Sequence, residues 1–464
     1  MRTIGTPSTQ ARKLNAIASG ALPNGDPVVV NADGTVSVVA GAAEGFGAAA
    51  TFESSSTFNS ATFDSTSNKV VIAYNSSSNG KAVVGTVSDR TISFGTPVVF
   101  ESAASNYIAA TFDSNSNKIV IAYQDGGNSG YTTAIVGTVS GTSISFGTAV
   151  VVKSAYANWV SATFDSSNNK VVVAIDRYAF VGTVSGTTIS FGAQTDYGSG
   201  TATSYVASTF DTNSNKVVLC YTRGGFCRSR VGTVSGTGIS FGTEVYVVPF
   251  PDSGSENGIT FDSNSNKVVA VTLTTGAVSK AAVGTVSGTN ISYGTAANVS
   301  SGTYGEMNRV VFDSSTNKII AFWKDGGNSY NGTSAVGTVS GTGISFSSST
   351  IFANGSTGDL FATFDSSNNK AVVAYVNSGA KASVFGFEST NLTSENYIGL
   401  SSNGYPDTAG ATIDVQGAIN DRQSGLTAGQ SYYVQLDGTL TTTAGDPSVF
   451  AGTAISATKM IVKG

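Results

Sequence analysis

Short apolar runs alternate with clusters of Ser, Asn, Gly and Thr along most of the chain. Runs of this size read as β-strands, and the small polar clusters read as the turns between them. Residues 107–152 set the pattern. YIAATFD (107–113) is strand a. The turn SNSN leads to strand b, KIVIAYQ (118–124). A loop leads to strand c, AIVGTVS (134–140), and the turn GT leads to strand d, SISFGTAVVV (143–152). Strand b is almost continuously apolar, as a strand covered on both faces must be. Strand d carries a mid-strand glycine (Gly95, Gly147, Gly192, Gly242, Gly294) that an outer edge tolerates as a bulge.

The pattern repeats. Phe-Asp recurs at residues 63, 112, 164, 210, 261, 312 and 364, with spacings of 49, 52, 46, 51, 51 and 52. Four strands in about 50 residues is the period of a propeller blade. The small residue two positions before the Phe (Ala61, Ala110, Ala162, Ser208, Ala362) suits a crowded ring centre. The seventh unit lacks strand d. Its pattern stands instead before the first unit, where FGAAATFESSS (46–56) matches FGTPVVFESAAS (94–105). The sequence therefore predicts an all-β, seven-bladed β-propeller over 45–388, closed by residues 45–53 as the outer strand of its last blade. Residues 1–44 form an arm with a hairpin around Asn31–Gly34, and 389–464 form a small β module. Both flanks are expected to attach the protein, the C-terminal module alternatively to drive its oligomerisation, and the two are expected to meet in one accessory module.

Four antiparallel strands per unit place the a–b and c–d turns on one face, and the b–c loops and d-to-a links on the other. The a–b turns hardly vary, from DSTSNK to DSSNNK, whereas the second set varies in length and chemistry. Loops that differ on a rigid scaffold are where recognition sits. That face gathers Tyr107, Tyr131, Tyr156, Trp159, Tyr178, Tyr205, Tyr304 and Tyr330, with Arg177, Arg223 and Arg228. These rings and cations are the candidate binding residues, because Tyr and Trp combine stacking area with a hydrogen-bonding handle.

Composition narrows the chemistry. The 464 residues contain no His, which removes His-based triads and His-ligated metal sites. DxNxN turns such as Asp113, Asn115, Asn117 resemble the start of a calcium loop, but Lys118 stands where that loop has Gly, so Asp capping a turn is the better reading. No metal and no cofactor are expected. Glu306, Asp359, Asp252 and Glu256 lie in variable links and are free to converge as paired carboxylates. No catalytic box surrounds them, and the chain is expected not to be an enzyme. Cys220 and Cys227 either pair or stay as two thiols. A net charge of −5 argues against nucleic acid. No apolar run is long enough to span a membrane, and the N-terminus has no signal-peptide pattern.

The unit FDSNSNKIVIAYQDGGNSGYTTAIVGTVSGTSISFGTAVVV resembles repeats in tail-fibre-like virion proteins of marine bacteriophages, cyanophages included. So do the flanks ALPNGDPVVVNADGTVSVV and QSGLTAGQSYYVQLDGTLTTTAGDPSVFAGTAISATKMIVKG. The resemblance implies a virion structural protein, assembled in the host cytoplasm and carried on the extracellular particle. It would be a tail or fibre component that forms homo-oligomers, contacts other virion proteins, and meets a glycan or protein of the host surface. The alternatives are a purely architectural connector and a glycan-degrading enzyme.

Overall fold

The computed structural model describes residues 12–39, 44–156, 158–249, 254–299, 305–387, 391–436, 438–445 and 447–463. Among them the chain is all-β apart from one 3₁₀ turn at Gly126–Asn128. It divides into two compact units. One is Phe46–Gly386, and the other joins Met1–Gly45 to Phe387–Gly464.

The larger unit is propeller-like. Among the described residues it contains seven antiparallel sheets of one design. In the second repeat Ser105–Asp113, Lys118–Asp125 and Tyr131–Ser140 pair in succession. The expected strand d is two strands, Ser143–Phe146 and Val150–Tyr156, which pair with the two halves of Tyr131–Ser140. Each repeat is thus a five-stranded sheet rather than four runs. In the seventh, Glu44–Phe46 and Ala50–Glu53 take the outer places beside Ala380–Phe387.

The apolar b strands explain how the sheets stack. Val70, Ile72 and Tyr74 share a core with Val372 and Ala374 of the seventh repeat. The intervening Val71 and Ala73 share a core with Ile119, Ile121 and Tyr123 of the second. A strand alternates its side chains between faces, so a continuous apolar run feeds two cores at once. The same sharing links repeats two to three, three to four, four to five and five to six. The innermost strands also pack in sequence, and Gly358–Asp365 of the last lies against Thr57–Asp64 of the first.

The a–b turns are held as the residue types predict. Asp113 Oδ1 accepts the amides of Asn115 and Ser116 at 2.9 and 3.0 Å, and Asn117 adopts the left-handed conformation at φ 55°. Neighbouring turns are joined to each other. Thr66 donates to Asn117, and Ser367 of the seventh repeat donates to Asn68 of the first.

The mid-strand glycine of strand d has a reason other than edge slack. A Cβ on Gly147 would collide with the Thr187 carbonyl oxygen in the c–d turn of the next repeat. Gly47, Gly95, Gly192, Gly242 and Gly294 meet Arg90, Thr142, Thr237, Thr289 and Thr342 in the same way. The sixth repeat has Ser347 at this position, and it precedes the one repeat whose outer strands come from residues 44–53 instead of from its own c–d turn. Glycine is present where a neighbouring turn presses in.

The smaller unit contains two further five-stranded sheets. In one, Pro27–Val30 and Val36–Val38 form the expected hairpin, and Tyr397–Ser401 lies beside Pro27–Val30. Lys13–Ile17 forms the far edge, paired with Gly410–Asp414. The other sheet includes Ser431–Val434, Val449–Ser456 and Lys459–Val462. The run 454–463 turns back on itself at Ala457 and Thr458. Val29, Leu400, Val434 and Val462 meet in a shared core, so both flanks build this unit.

The glycine contacts give a direct test. Gly147→Ala should cost about 2 kcal/mol or more in chemical denaturation, because a backbone carbonyl cannot yield to the new methyl group. Ser347→Ala should stay within about 0.5 kcal/mol of the parent.

Candidate functional site

Strand a keeps its pairing with strand b up to one point, five residues before the Phe of each Phe-Asp. There stand Phe58, Tyr107, Trp159, Tyr205, Glu256, Met307 and Asp359, one per repeat. All seven are left-handed, with φ between 46° and 56°. In six repeats the register slips at this residue, as between Asn106 and Ala109. A left-handed, non-glycine residue costs on the order of 1 kcal/mol and persists only where its surroundings dictate it. It also takes its side chain out of the in–out alternation of the strand.

The surroundings are bonds between neighbouring repeats. The Phe58 amide donates to Asp359 Oδ1 at 3.1 Å, and Asn59 Nδ2 donates to the Asp359 carbonyl at 2.9 Å. Asn257 Nδ2 donates to the Tyr205 carbonyl at 3.0 Å. The Ala110 amide donates to Ser60 Oγ at 2.9 Å, and Ser161 and Ser208 share a hydrogen bond of 2.7 Å.

All seven side chains line one cavity of about 480 Å³. Residues two before the Phe line it as well, small in four of these repeats (Ala110, Ala162, Ser208, Ala362) and larger in the fifth and sixth (Ile259, Val310). One arc of the wall is aromatic. Phe58 and Tyr107 lie 5.0 Å apart, Tyr107 and Trp159 5.3 Å, and Trp159 and Tyr205 4.0 Å, at interplanar angles of 50°, 58° and 44°. The opposite arc is charged and holds Glu256, Arg309 and Asp359. Arg309 Nη1 donates to the Asn308 carbonyl at 2.7 Å, and its guanidinium lies 5.2 Å from the centre of the Phe361 ring. The buried Arg309 Nε has no hydrogen-bond partner.

Burial pushes the Glu256 carboxyl above the usual range, more than nearby Arg309 pulls it down, and the charge of Glu306 adds to the rise. Tyr205 donates a hydrogen bond to Glu256. Burial also raises Asp359, against the Phe58 amide and the charge of Arg309. For Arg309 burial lowers the pKa, against the attraction of both carboxylates. One guanidinium thus serves two carboxylates.

Of the residues singled out in the sequence, Tyr107, Trp159 and Tyr205 line the cavity. The other rings and arginines of that set that the structure describes lie outside it, in contacts of their own. Tyr131 stands opposite Tyr156, which is 64% exposed. Tyr178 lies under Lys153 and Arg177, and Arg177 also reaches Asp196 at 3.5 Å. Arg223 and Arg228 both bind Glu244 at 2.5 Å. Tyr330 lies under Lys324, which pairs with Glu306 at 2.9 Å. Tyr304 and Asp252 fall outside the described residues. Glu256 and Asp359 do converge, whereas Glu306 is bound to its lysine. Phe58, Met307 and Arg309 were not singled out; the first two share the offset of five residues before Phe-Asp, which would have found them. Cys220 and Cys227 are buried free thiols with sulfurs 3.1 Å apart.

No protein-family model matches the chain, and no curated protein matches it. Among solved structures, a protein from Lactobacillus plantarum is 10% identical over 63% of this chain and 84% of its own, with a TM-score of 0.49. The periplasmic gluconolactonase of Pseudomonas aeruginosa is 10% identical over 74% and 97%, also at 0.49. The SapL1 lectin in complex with α-methyl fucoside is 13% identical over 64% and 97%, at 0.39. At these identities and scores no ligand or chemistry passes from them to this chain. The expectation that the chain is not an enzyme is nevertheless withdrawn: an enzyme stands among these structures, and a scarcity of recognisable motifs does not exclude catalysis.

The raised carboxyls set a sign for stability. A carboxyl whose pKa is higher in the folded state stabilises the fold while protonated, and that contribution is lost as pH rises through the folded value. Glu256→Gln with Asp359→Asn keeps the acceptors and removes the buried charges. This variant should melt at or above the parent at pH 7, with the difference closing toward pH 4. A parent that gains stability over the variant as pH rises would contradict the assignment.

Proposed function

We propose that the protein is a recognition component of a bacteriophage particle, with a seven-bladed propeller whose axial pocket binds a ligand on the host surface. The observation that carries this is the set of seven left-handed positions lining one cavity. Strain at equivalent positions, held by bonds between repeats, is characteristic of a site. The seven-bladed arrangement is supported by the cores that link the first six sheets in succession and the seventh to the first, and by the packing of strand a of the sixth repeat against that of the seventh. Residues 44–53 then finish the seventh blade.

A volume of about 480 Å³ suits a small ligand or the terminal group of a larger one. Aromatic faces beside carboxylates and an arginine suit a sugar-like group, whose apolar face stacks while its hydroxyls find acceptors. The placement on a phage particle rests on the resemblance of repeats and flanks to tail-fibre-like proteins. In this reading the flanks join the protein to other virion proteins and to further copies of itself, and the pocket end contacts the host glycan or protein.

Binding of the intact protein to a panel of marine bacterial cells and to a glycan array tests the reading. The parent should bind at least one. Trp159→Ala should weaken that binding about 10-fold or more, and Trp159→Phe should recover part of it. Tyr156→Ala, at an exposed ring outside the pocket, should bind as the parent does. Full binding by a folded Trp159→Ala variant removes the pocket from the reading. Absence of binding to every cell and glycan leaves the architectural connector in its place.

A further inference from the structure

The pocket rings differ in one respect from three tyrosines outside the pocket. Tyr178, Tyr246 and Tyr330 each lie under a lysine or arginine of the chain itself, with Lys153 at 4.5 Å, Arg228 at 4.4 Å and Lys324 at 4.7 Å from the ring centres. Among the described residues no lysine or arginine lies over Phe58, Tyr107, Trp159 or Tyr205. The one cation lining the cavity, Arg309, lies instead on Phe361 in the opposite arc. Four packed rings whose π faces attract positive charge therefore line the cavity with no cation of the described chain over them.

The charges of the wall point the same way. Glu256 and Asp359 face a single guanidinium, and the nearby Glu306 is balanced by Lys324 at 2.9 Å. The lining is left with one more negative charge than positive. A buried charge without its counter-charge is costly, and a ligand that supplies one relieves both carboxylates.

Resting on the reading that this pocket is the binding site, we infer that the group it receives is a cationic amine, seated against Tyr107, Trp159 and Tyr205 with Glu256 and Asp359 as its counter-charges. An amino sugar with a free ammonium, or a quaternary ammonium, has this chemistry. A neutral sugar gains the stacking without the charge. An acidic sugar meets two carboxylates.

Calorimetric titration of the full chain at pH 7 separates these classes. The probes are methyl glucosaminide, its N-acetyl derivative, methyl glucuronide and choline. Methyl glucosaminide and choline should bind, and the N-acetyl derivative, which differs only in the charge and bulk at its nitrogen, should bind about 10-fold more weakly. Asp359→Asn and Glu256→Gln should each weaken the amines several-fold and leave the neutral probe nearly unchanged. Equal or tighter binding of the N-acetyl derivative or the glucuronide overturns the inference, as does silence from both amines at millimolar concentration. The two readings fail differently. If a neutral or acidic probe binds and Trp159→Ala abolishes it, the pocket stands and the cation falls. If binding survives Trp159→Ala, the pocket itself falls.

Discussion

The packing of the last repeat against the first is the contact on which the pocket depends. Gly358–Asp365 and Thr57–Asp64 lie side by side, although about 300 residues of chain separate them. Val372 and Ala374 enter the same core as Val70, Ile72 and Tyr74. Without that contact Asp359 would lose the Phe58 amide, and the charged and aromatic arcs would not face each other. The same contact orders a long stretch of chain, so the apolar b strands must feed a core on each face to offset the entropy lost. Their near-zero exposure along Val70–Tyr74, Ile119–Tyr123 and Val171–Ile175 is the visible result.

The ends of strand a divide the work. At one end the Asp-capped turns repeat almost unchanged and hold neighbouring repeats together, as Thr66 holds Asn117 and Ser367 holds Asn68. At the other end the chain bends at one left-handed residue per repeat, and the side chain there differs in nearly every repeat. Backbone geometry is repeated while side-chain chemistry is not. Seven equivalent positions can thus present four rings, two carboxylates and a methionine to one space. The strain is carried by Asn59, Asn257 and the Phe58 amide, which bind backbone or carboxylate across repeat boundaries.

Much of this was legible in the chain. The repeats, the apolar b strands, the capped turns and the strand pattern displaced to residues 46–56 follow from periodicity alone. The split of strand d was not, because Gly147 reads as slack until the Thr187 carbonyl is seen beside it. The pocket was half legible. Tyr107, Trp159 and Tyr205 stood out as aromatic, but so did Tyr178 and Tyr330, which cover cations of their own sheets. What separates the two groups is place in the repeat: the pocket rings stand five residues before Phe-Asp, at a position where the residue type varies freely, whereas Tyr330, left-handed as well at φ 58°, lies in a b–c loop. Arg309 was hidden for a related reason: it lies two residues after its repeat's left-handed position and acts through burial between two carboxylates from other repeats. Strand Lys13–Ile17 carried no repeat and little apolar pattern, and it is ordered by pairing with Gly410–Asp414, nearly 400 residues away.

The most direct measurement is a disulfide between the first and last repeats. Asn68 and Ser367 touch at 2.5 Å on the surface, away from the pocket. In a chain carrying Asn68→Cys and Ser367→Cys, oxidation should yield an intramolecular bond, found by peptide mapping between the segments that hold 68 and 367, in a monomer that still folds. Linkage found only between separate chains, or none at all under conditions that oxidise exposed thiols, would mean that the last repeat does not meet the first.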